Sequence, residues 1–249
     1  MPPVKPDQFF DLYDGNFLKR IIMKYKWILF DADGTLFDYD SAEAFALETT
    51  LETFGQKATP TFFKMYASIN SSLFRELERG QITLKELKTK RFKLLLNQFG
   101  FDIKEDDFSR QYIVNLSGAS QLLPGAIETV KALHSRCRML LITNGISKVQ
   151  RSRLNASELK VYMDDAVISE EVSVAKPSKK IFDIAFKKMN MPAKKKVLIV
   201  GDSLGSDMAG GVNYGIDTCW YNPLGIQNDR EFEVTYEIQD LREVVKIVE

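Results

Sequence analysis

The sequence predicts an α/β protein: a doubly wound parallel sheet that carries one all-helical insertion. Two observations carry this reading. Short apolar runs recur along the chain, and each stops at a polar, turn-forming string, as strands buried on both faces do. Between the first and second of these runs, residues 41–120 carry helical spacing and no comparable strand signal.

The first run is Tyr25-Lys26-Trp27-Ile28-Leu29-Phe30, which ends abruptly at Asp31-Ala32-Asp33-Gly34-Thr35. In the insertion, Leu47, Leu51 and Phe54, then Leu84, Leu87 and Leu94, follow helical spacing, with Gly55, Gly80 and Gly100 as punctuation. The chain returns to the sheet near Leu123-Pro124-Gly125. Met139-Leu140-Leu141-Ile142 then precedes Thr143-Asn144-Gly145, Ala166-Val167-Ile168 precedes Ser169-Glu170, and Val197-Leu198-Ile199-Val200 precedes Gly201-Asp202-Ser203. Each is followed by a stretch that reads as a helix, and Asp217-Thr218-Cys219-Trp220-Tyr221 is a fifth candidate strand. Strands alternating with helices build a doubly wound sheet. Its ligands bind beyond the carboxyl ends of the strands, where the four polar turns would gather.

Composition removes several chemistries. A single histidine, His134, cannot supply a multi-histidine metal site, and the two cysteines, Cys137 and Cys219, are too far apart for a knuckle or a CxxC pair. Lys and Arg together equal Asp and Glu at 34 each, which gives no electrostatic reason to expect nucleic-acid polymer or membrane-surface binding. The apolar runs fall far short of the roughly 20 residues a membrane helix needs. Residues 1–22 carry no apolar h-region, so a cytoplasmic, reduced protein is expected. The eight lysines between Lys176 and Lys196 flank Ile181, Phe182, Ala185 and Phe186, the pattern of an amphipathic helix with a solvated face. The acidic stretch from Glu231 onward reads as surface, and so does His134.

Asp31-Ala32-Asp33-Gly34-Thr35 is the most informative string. Two carboxylates at the end of a buried strand repel each other and lose hydration unless a cation or a proton relieves them. A helix cap or an Asx turn explains one aspartate and not two. With Asp202 and Asp207 at neighbouring strand ends, four carboxylates would share a crevice with one obvious cation, Lys176. A hard divalent cation such as Mg²⁺, held by oxygen ligands and water, resolves that conflict. A dinucleotide loop over Gly201 to Gly211 is the rival reading; its glycines miss the GxGxxG spacing, and no GxxxxGK string occurs.

Taken in order, strand plus Asp31-Ala32-Asp33-Gly34-Thr35-Leu36, strand plus Thr143-Asn144-Gly145, Lys176-Pro177, and strand plus Gly201-Asp202 with Asp207 resemble the four motifs of the haloacid dehalogenase superfamily. The long interval between Asp31 and Thr143 resembles the subfamily with a helical cap between the first two motifs. The resemblance implies a Rossmann-like core over residues 23–40 and 121–249, an all-helical cap over 41–120 and an N-terminal extension over 1–22. That extension is either an upstream start or an arm packed through Phe9, Phe10, Leu12 and Phe17.

The resemblance also implies roles. Asp31 would be the nucleophile and Asp33 the general acid and base. Thr143, the Asn144 amide and Lys176 would hold phosphoryl oxygens. Mg²⁺ would be bound by the Asp31 carboxylate, the Asp33 main-chain carbonyl and the Asp202 carboxylate, with Asp207 as a further ligand or a partner of one. The family's dehalogenases lack an aspartate at the position of Asp33, so dehalogenation is disfavoured.

A narrower resemblance, through Phe45-Ala46-Leu47-Glu48, Asp217 to Pro223 and Thr235-Tyr236-Glu237-Ile238, is to the bacterial noncanonical pyrimidine nucleotidases. It implies a small-molecule phosphomonoester, a nucleoside 5′-monophosphate, as substrate for a monomer or weak homodimer. Asn70, Ser71, Phe74, Arg75 and Arg91 have the reach to select it from the cap, although such residues are more often helix surface or core. A sugar-phosphate or phosphoglycolate phosphatase, or a hexose phosphomutase, would use the same core residues. A non-catalytic partner-binding protein on the same fold is the alternative from another class; it would be easier to accept if Asp31, Asp33 or Lys176 were replaced.

Overall fold

The computed structural model describes residues 23–249, and the expectations for residues 1–22 lie outside them. In chain order the elements are β1 (Trp27–Phe30), α1 (Tyr39–Thr53), α2 (Pro60–Glu78), α3 (Leu84–Phe99), α4 (Glu105–Gly118), α5 (Ala126–His134), β2 (Arg138–Thr143), α6 (Ser147–Ala156), β3 (Asp165–Ile168), α7 (Ser169–Val172), α8 (Lys179–Lys188), β4 (Val197–Gly201), α9 (Ala209–Tyr214), β5 (Asp217–Tyr221), β6 (Tyr236–Ile238) and α10 (Glu243–Val248).

The six strands pair in parallel in the order β3-β2-β1-β4-β5-β6. The order reverses about β1, which lies between β2 and β4, and that switch point opens a crevice at the carboxyl edge. Alternation along β1 sends Ile28 and Phe30 to one face, where they meet α5 and α10 through Val130, Leu133 and Val244. Trp27 and Leu29 face the other side, against Ile181, Phe182, Ala185 and Phe186 of α8. Lys179, Lys180, Lys187 and Lys188 point to solvent, so the lysine-rich helix is amphipathic as expected. Phe30 pairs with both Leu141 and Val200, and this register places Asp31, Thr143 and Asp202 at one edge.

Helices α1 to α4 pack around a second core, with Leu47, Leu51, Phe62, Tyr66, Phe92, Phe108 and Tyr112 buried and Val149 of α6 joining it from the sheet side. Their ends follow local chemistry. Thr83 and Glu86 form a reciprocal capping box at the start of α3, and Gly100 at its end adopts φ +66°. The chain leaves the sheet and returns beside itself: Leu123 N–H donates to Leu36 O at 2.9 Å and Asp38 N–H to Gln121 O at 3.0 Å. Among the described residues, no helix is long and apolar enough to cross a membrane.

The C-terminal segment corrects the surface reading of residues after Glu231. It contains β6 and α10, and Ile238, Leu241, Val244 and Val248 are buried against the sheet. Its acidic residues lie between buried apolar ones, so composition hid the pattern. Leu241→Ala should therefore cost about 2–5 kcal/mol of stability in urea denaturation. A change under about 0.5 kcal/mol would restore the surface reading.

Candidate active site

The crevice at the carboxyl edge is built on one buried ammonium. Lys176 Nζ donates to Asp31, to Asp207 Oδ1 at 2.6 Å and to the Ile142 carbonyl at 2.7 Å, so each of its three protons has an acceptor. Burial opposes the Lys176 charge, yet Asp207 and Asp31 together outweigh it and hold the ammonium above its ordinary pKa. Burial pushes the Asp31 carboxyl upward; Lys176 opposes that, and the negative charges of Asp207 and Asp202 add to it.

Asp202 completes the cluster. Its Oδ1 accepts from the Thr35 hydroxyl at 3.1 Å, and its main-chain oxygen accepts from Trp220 Nε1 at 2.9 Å. Its pKa is pushed up to about 7, first by burial and then by Asp207. Asp207 sits on a π-helical turn, Leu204–Met208, and Oδ2 accepts from Ser203 N–H at 3.1 Å. Two glycines make this crowding possible. A Cβ on Gly34, which has φ +81°, would lie 2.6 Å from Asp202 Oδ2, and one on Gly201 would overlap the Asp207 carboxylate. Gly201, Gly210 and Gly211 therefore serve close approach of a side chain and packing, not a dinucleotide loop: Gly210 abuts Phe182, and Gly211 abuts Ile199 and Thr218.

Thr143 is buried at the end of β2, with its Oγ1 accepting from Gly145 N–H at 3.2 Å. The Asn144 carboxamide is engaged on both sides by the main chain of Lys176, donating to its carbonyl at 2.9 Å and accepting from its N–H at 2.8 Å. That side chain therefore fixes the loop bearing Lys176.

Asp33 stands apart from the ammonium. Its Oδ2 accepts from Gln150 Nε2 at 2.6 Å, and its Oδ1 pairs with Arg153. Sequence reasoning missed both partners. They lie on α6, among polar residues whose spacing gives no sign that Gln150 and Arg153 are buried.

Opposite this floor the helices supply the wall of a cleft of about 810 Å³. Asp31, Asp33, Thr143, Asn144, Lys176, Asp202 and Asp207 all line it. Of the cap candidates, Asn70, Ser71, Phe74 and Arg91 line it as well, while Arg75 lines a smaller neighbouring cleft with Trp220. Arg91 is buried, donating from Nη1 to Tyr66 Oη at 3.1 Å and Asn70 Oδ1 at 3.2 Å, while its Nε has no partner. Glu43 ties the group together by accepting from Tyr39 at 2.7 Å, Tyr66 at 3.0 Å and Asn70 at 3.3 Å.

Oxygen atoms of Asp31, Asp202 and Asp207 lie within 4.8 Å of one another. Lys176 pairs with Asp31 and Asp207 and not with Asp202, and burial first, then the neighbouring carboxylates, raise Asp31 and Asp202. The Asp33 carbonyl accepts no main-chain hydrogen bond among the described residues. An all-oxygen, acidic donor set of this kind fits a hard divalent cation.

A doubly wound sheet with a helical cap over a carboxylate-lined switch point is the architecture of a capped hydrolase. A family model described as haloacid dehalogenase-like hydrolase matches residues 25–215, and the chain belongs to that family. The chain is 34% identical over 225 residues to the HAD-hydrolase YfnB of Bacillus subtilis (strain 168), covering 90% of this chain and 96% of that one. It is 34% identical to the pyrimidine 5′-nucleotidase YjjG of Escherichia coli (strain K12), covering 91% and 99%. It is also 34% identical to the pyrimidine 5′-nucleotidase PynA of Streptococcus pneumoniae (strain ATCC BAA-255 / R6), covering 90% and 94%. The crystal structure of YfnB bound to magnesium, which reveals interdomain movement in that protein, superposes with a TM-score of 0.86 over 90% of this chain and 99% of that one.

A carboxyl raised in the folded state binds its proton more tightly there than in the unfolded chain, so its contribution to stability is present at low pH and is lost as pH rises through the folded value. For Asp202 that window runs from the ordinary 3.8 to about 7. Melting of the chelator-treated protein should fall across this window, and Asp202→Asn should flatten the fall. Identical slopes in the two proteins would contradict the assigned electrostatics.

Proposed function

We propose that the protein is a Mg²⁺-dependent phosphatase that hydrolyses pyrimidine nucleoside 5′-monophosphates through a phosphorylated Asp31. The observation that carries this reading is the placement of Asp31, Asp202 and Asp207 around a single buried lysine on the floor of a capped cleft. The substrate class is supported by similarity to two pyrimidine 5′-nucleotidases over nearly the whole chain.

The phosphoryl group would lie against Asp31, its oxygens held by the Thr143 hydroxyl, the Asn144 main-chain N–H and the Lys176 ammonium. An Asp31 oxygen attacks phosphorus, and the bond from phosphorus to the nucleoside 5′-oxygen breaks. Asp33 gives its proton to that oxygen, a contribution of roughly 10²–10⁴-fold in such reactions. After the nucleoside leaves, water attacks phosphorus, Asp33 takes a proton from it, and the bond to Asp31 breaks to release inorganic phosphate. Asp31, Asp202, the Asp33 carbonyl and Asp207 would hold Mg²⁺, which when bound offsets the repulsion between an anionic nucleophile and a phosphate dianion.

The cap wall suits a flat leaving group. Phe74, Leu77, Leu87 and Leu116 offer apolar surface, and Arg91 offers only donors, which suit carbonyl oxygens on a base edge. The cap, closing over the site, would exclude bulk water from the phosphorylated aspartate.

A panel of UMP, dUMP, dTMP, sugar phosphates and phosphoglycolate, read by phosphate release, tests this directly. The pyrimidine monophosphates should show the highest kcat/KM, chelation should abolish turnover, and Asp31→Asn should lose at least about 10³-fold. Preference for a sugar phosphate would overturn the substrate class, and turnover surviving in Asp31→Asn would overturn the nucleophile.

A further inference from the structure

Gln150 and Arg153 are both buried, yet neither is satisfied within the protein. Gln150 Oε1 and the Nε and Nη2 of Arg153 are sealed from solvent without a hydrogen-bond partner. Leaving such atoms unpaired opposes folding, because their lost hydration is not replaced. Their satisfied atoms go to one place: Gln150 Nε2 and Arg153 Nη1 each take one oxygen of the Asp33 carboxylate. That side chain is thus held at both oxygens by one helix, although it belongs to the turn after β1.

We propose that Gln150 and Arg153 are positioning residues for Asp33, orienting its carboxyl group for proton transfer to the leaving oxygen. The proposal rests on the phosphatase reading above.

Two further observations join these residues to the surrounding structure. A Cβ on Gly145 would sit 2.7 Å from Gln150 Cγ and would overlap its amide nitrogen as well, so the glycine after Thr143-Asn144 is the gap through which Gln150 reaches Asp33. Gly145 does not have a positive φ, so the requirement is for space and not for backbone freedom. The Arg153 guanidinium lies 4.5 Å from the centre of the Phe37 ring. Phe37 pairs with Asp33 on one side and with Leu122 on the other, where the chain passes out to the helices and back. Arg153 therefore braces the Asp33 turn against the two crossings.

The unpartnered Gln150 Oε1 has a use in this arrangement. A half-turn of the carboxamide would present an acceptor where the donor now stands, so the same side chain can bond an Asp33 oxygen with or without a proton. A leucine or methionine of similar size could fill the space but could not hold the carboxyl group in either form.

The test is the dependence of kcat/KM on the leaving group, measured with Mg²⁺ over aryl phosphates from p-nitrophenyl phosphate to phenyl phosphate. Nitrophenolate departs without a proton, whereas phenolate gains from one. The parameter kcat/KM covers only steps up to the first irreversible one, so attack by water does not enter. In Gln150→Ala the ratio of phenyl to p-nitrophenyl phosphate should fall about tenfold relative to the parent protein. Arg153→Met should shift it in the same direction and Arg153→Lys by less. Gly145→Ala keeps both side chains but pushes Gln150 aside, and should shift it too if an Arg153 variant fails to fold. An equal loss on both substrates in Gln150→Ala and Gly145→Ala would mean a structural role only and overturn the proposal. A parent protein that hydrolyses no aryl or nucleoside phosphate would overturn the phosphatase reading itself.

Discussion

The Lys176 ammonium, buried between Asp31 and Asp207, is the interaction on which the rest of the site depends. A lysine with almost no solvent contact keeps its charge only if each proton finds an acceptor, and here two carboxylates and the Ile142 carbonyl provide them. The arrangement also runs the other way, because the Lys176 charge opposes the upward push of burial on the Asp31 carboxyl. Asn144 fixes the Lys176 main chain from the end of β2, Gly201 leaves room for the Asp207 carboxylate, and the π-helical turn delivers Asp207. Asp31, Asn144 and Asp207, from three separated stretches of sequence, thus answer to one charge.

One ammonium does not balance the cluster, and that deficit links structure to chemistry. Asp202 lies close enough to both other aspartates to share a ligand with them, and burial together with the Asp207 charge raises its pKa. A nucleophilic carboxylate and a phosphate dianion repel each other, so a site for phosphoryl transfer needs more cationic charge than a merely stable fold would hold. The cap contributes from the other side with a buried arginine, Arg91, held among tyrosines and Asn70. Floor and wall therefore offer the cleft different chemistry, carboxylates and an ammonium on one side and a guanidinium among apolar side chains on the other.

Much of this was legible in the sequence, for identifiable reasons. Strands buried on both faces are apolar throughout, so β1, β2 and β4 in the sheet interior, and β3 at its covered edge, stood out as runs cut off by polar turns; the turns after β1 and β4 hold the aspartates. Gly55, Gly80 and Gly100 marked helix ends because each takes a positive φ there. β6 was hidden because it is three residues long, lies at the sheet edge and shows only Ile238 fully buried. Gln150 and Arg153 were hidden for a different reason. A polar residue becomes buried because of what stands across from it, and Asp33 is distant in sequence. The same holds for Glu43, whereas Arg91 and Asn70 were named from the sequence without their partners, because their pairing with Tyr66 and Glu43 exists only once α1, α2 and α3 are packed.

The central claim is that Asp31 takes the phosphoryl group before water does. The most direct measurement is acid quenching during turnover of UMP with Mg²⁺, borohydride reduction of any acyl phosphate, and peptide mass spectrometry. The account predicts that the residue at position 31 is recovered as homoserine in a fraction of molecules, and only when substrate and metal were both present. Phosphate release at full rate with residue 31 unmodified, or with the reduced residue elsewhere in the chain, would contradict it.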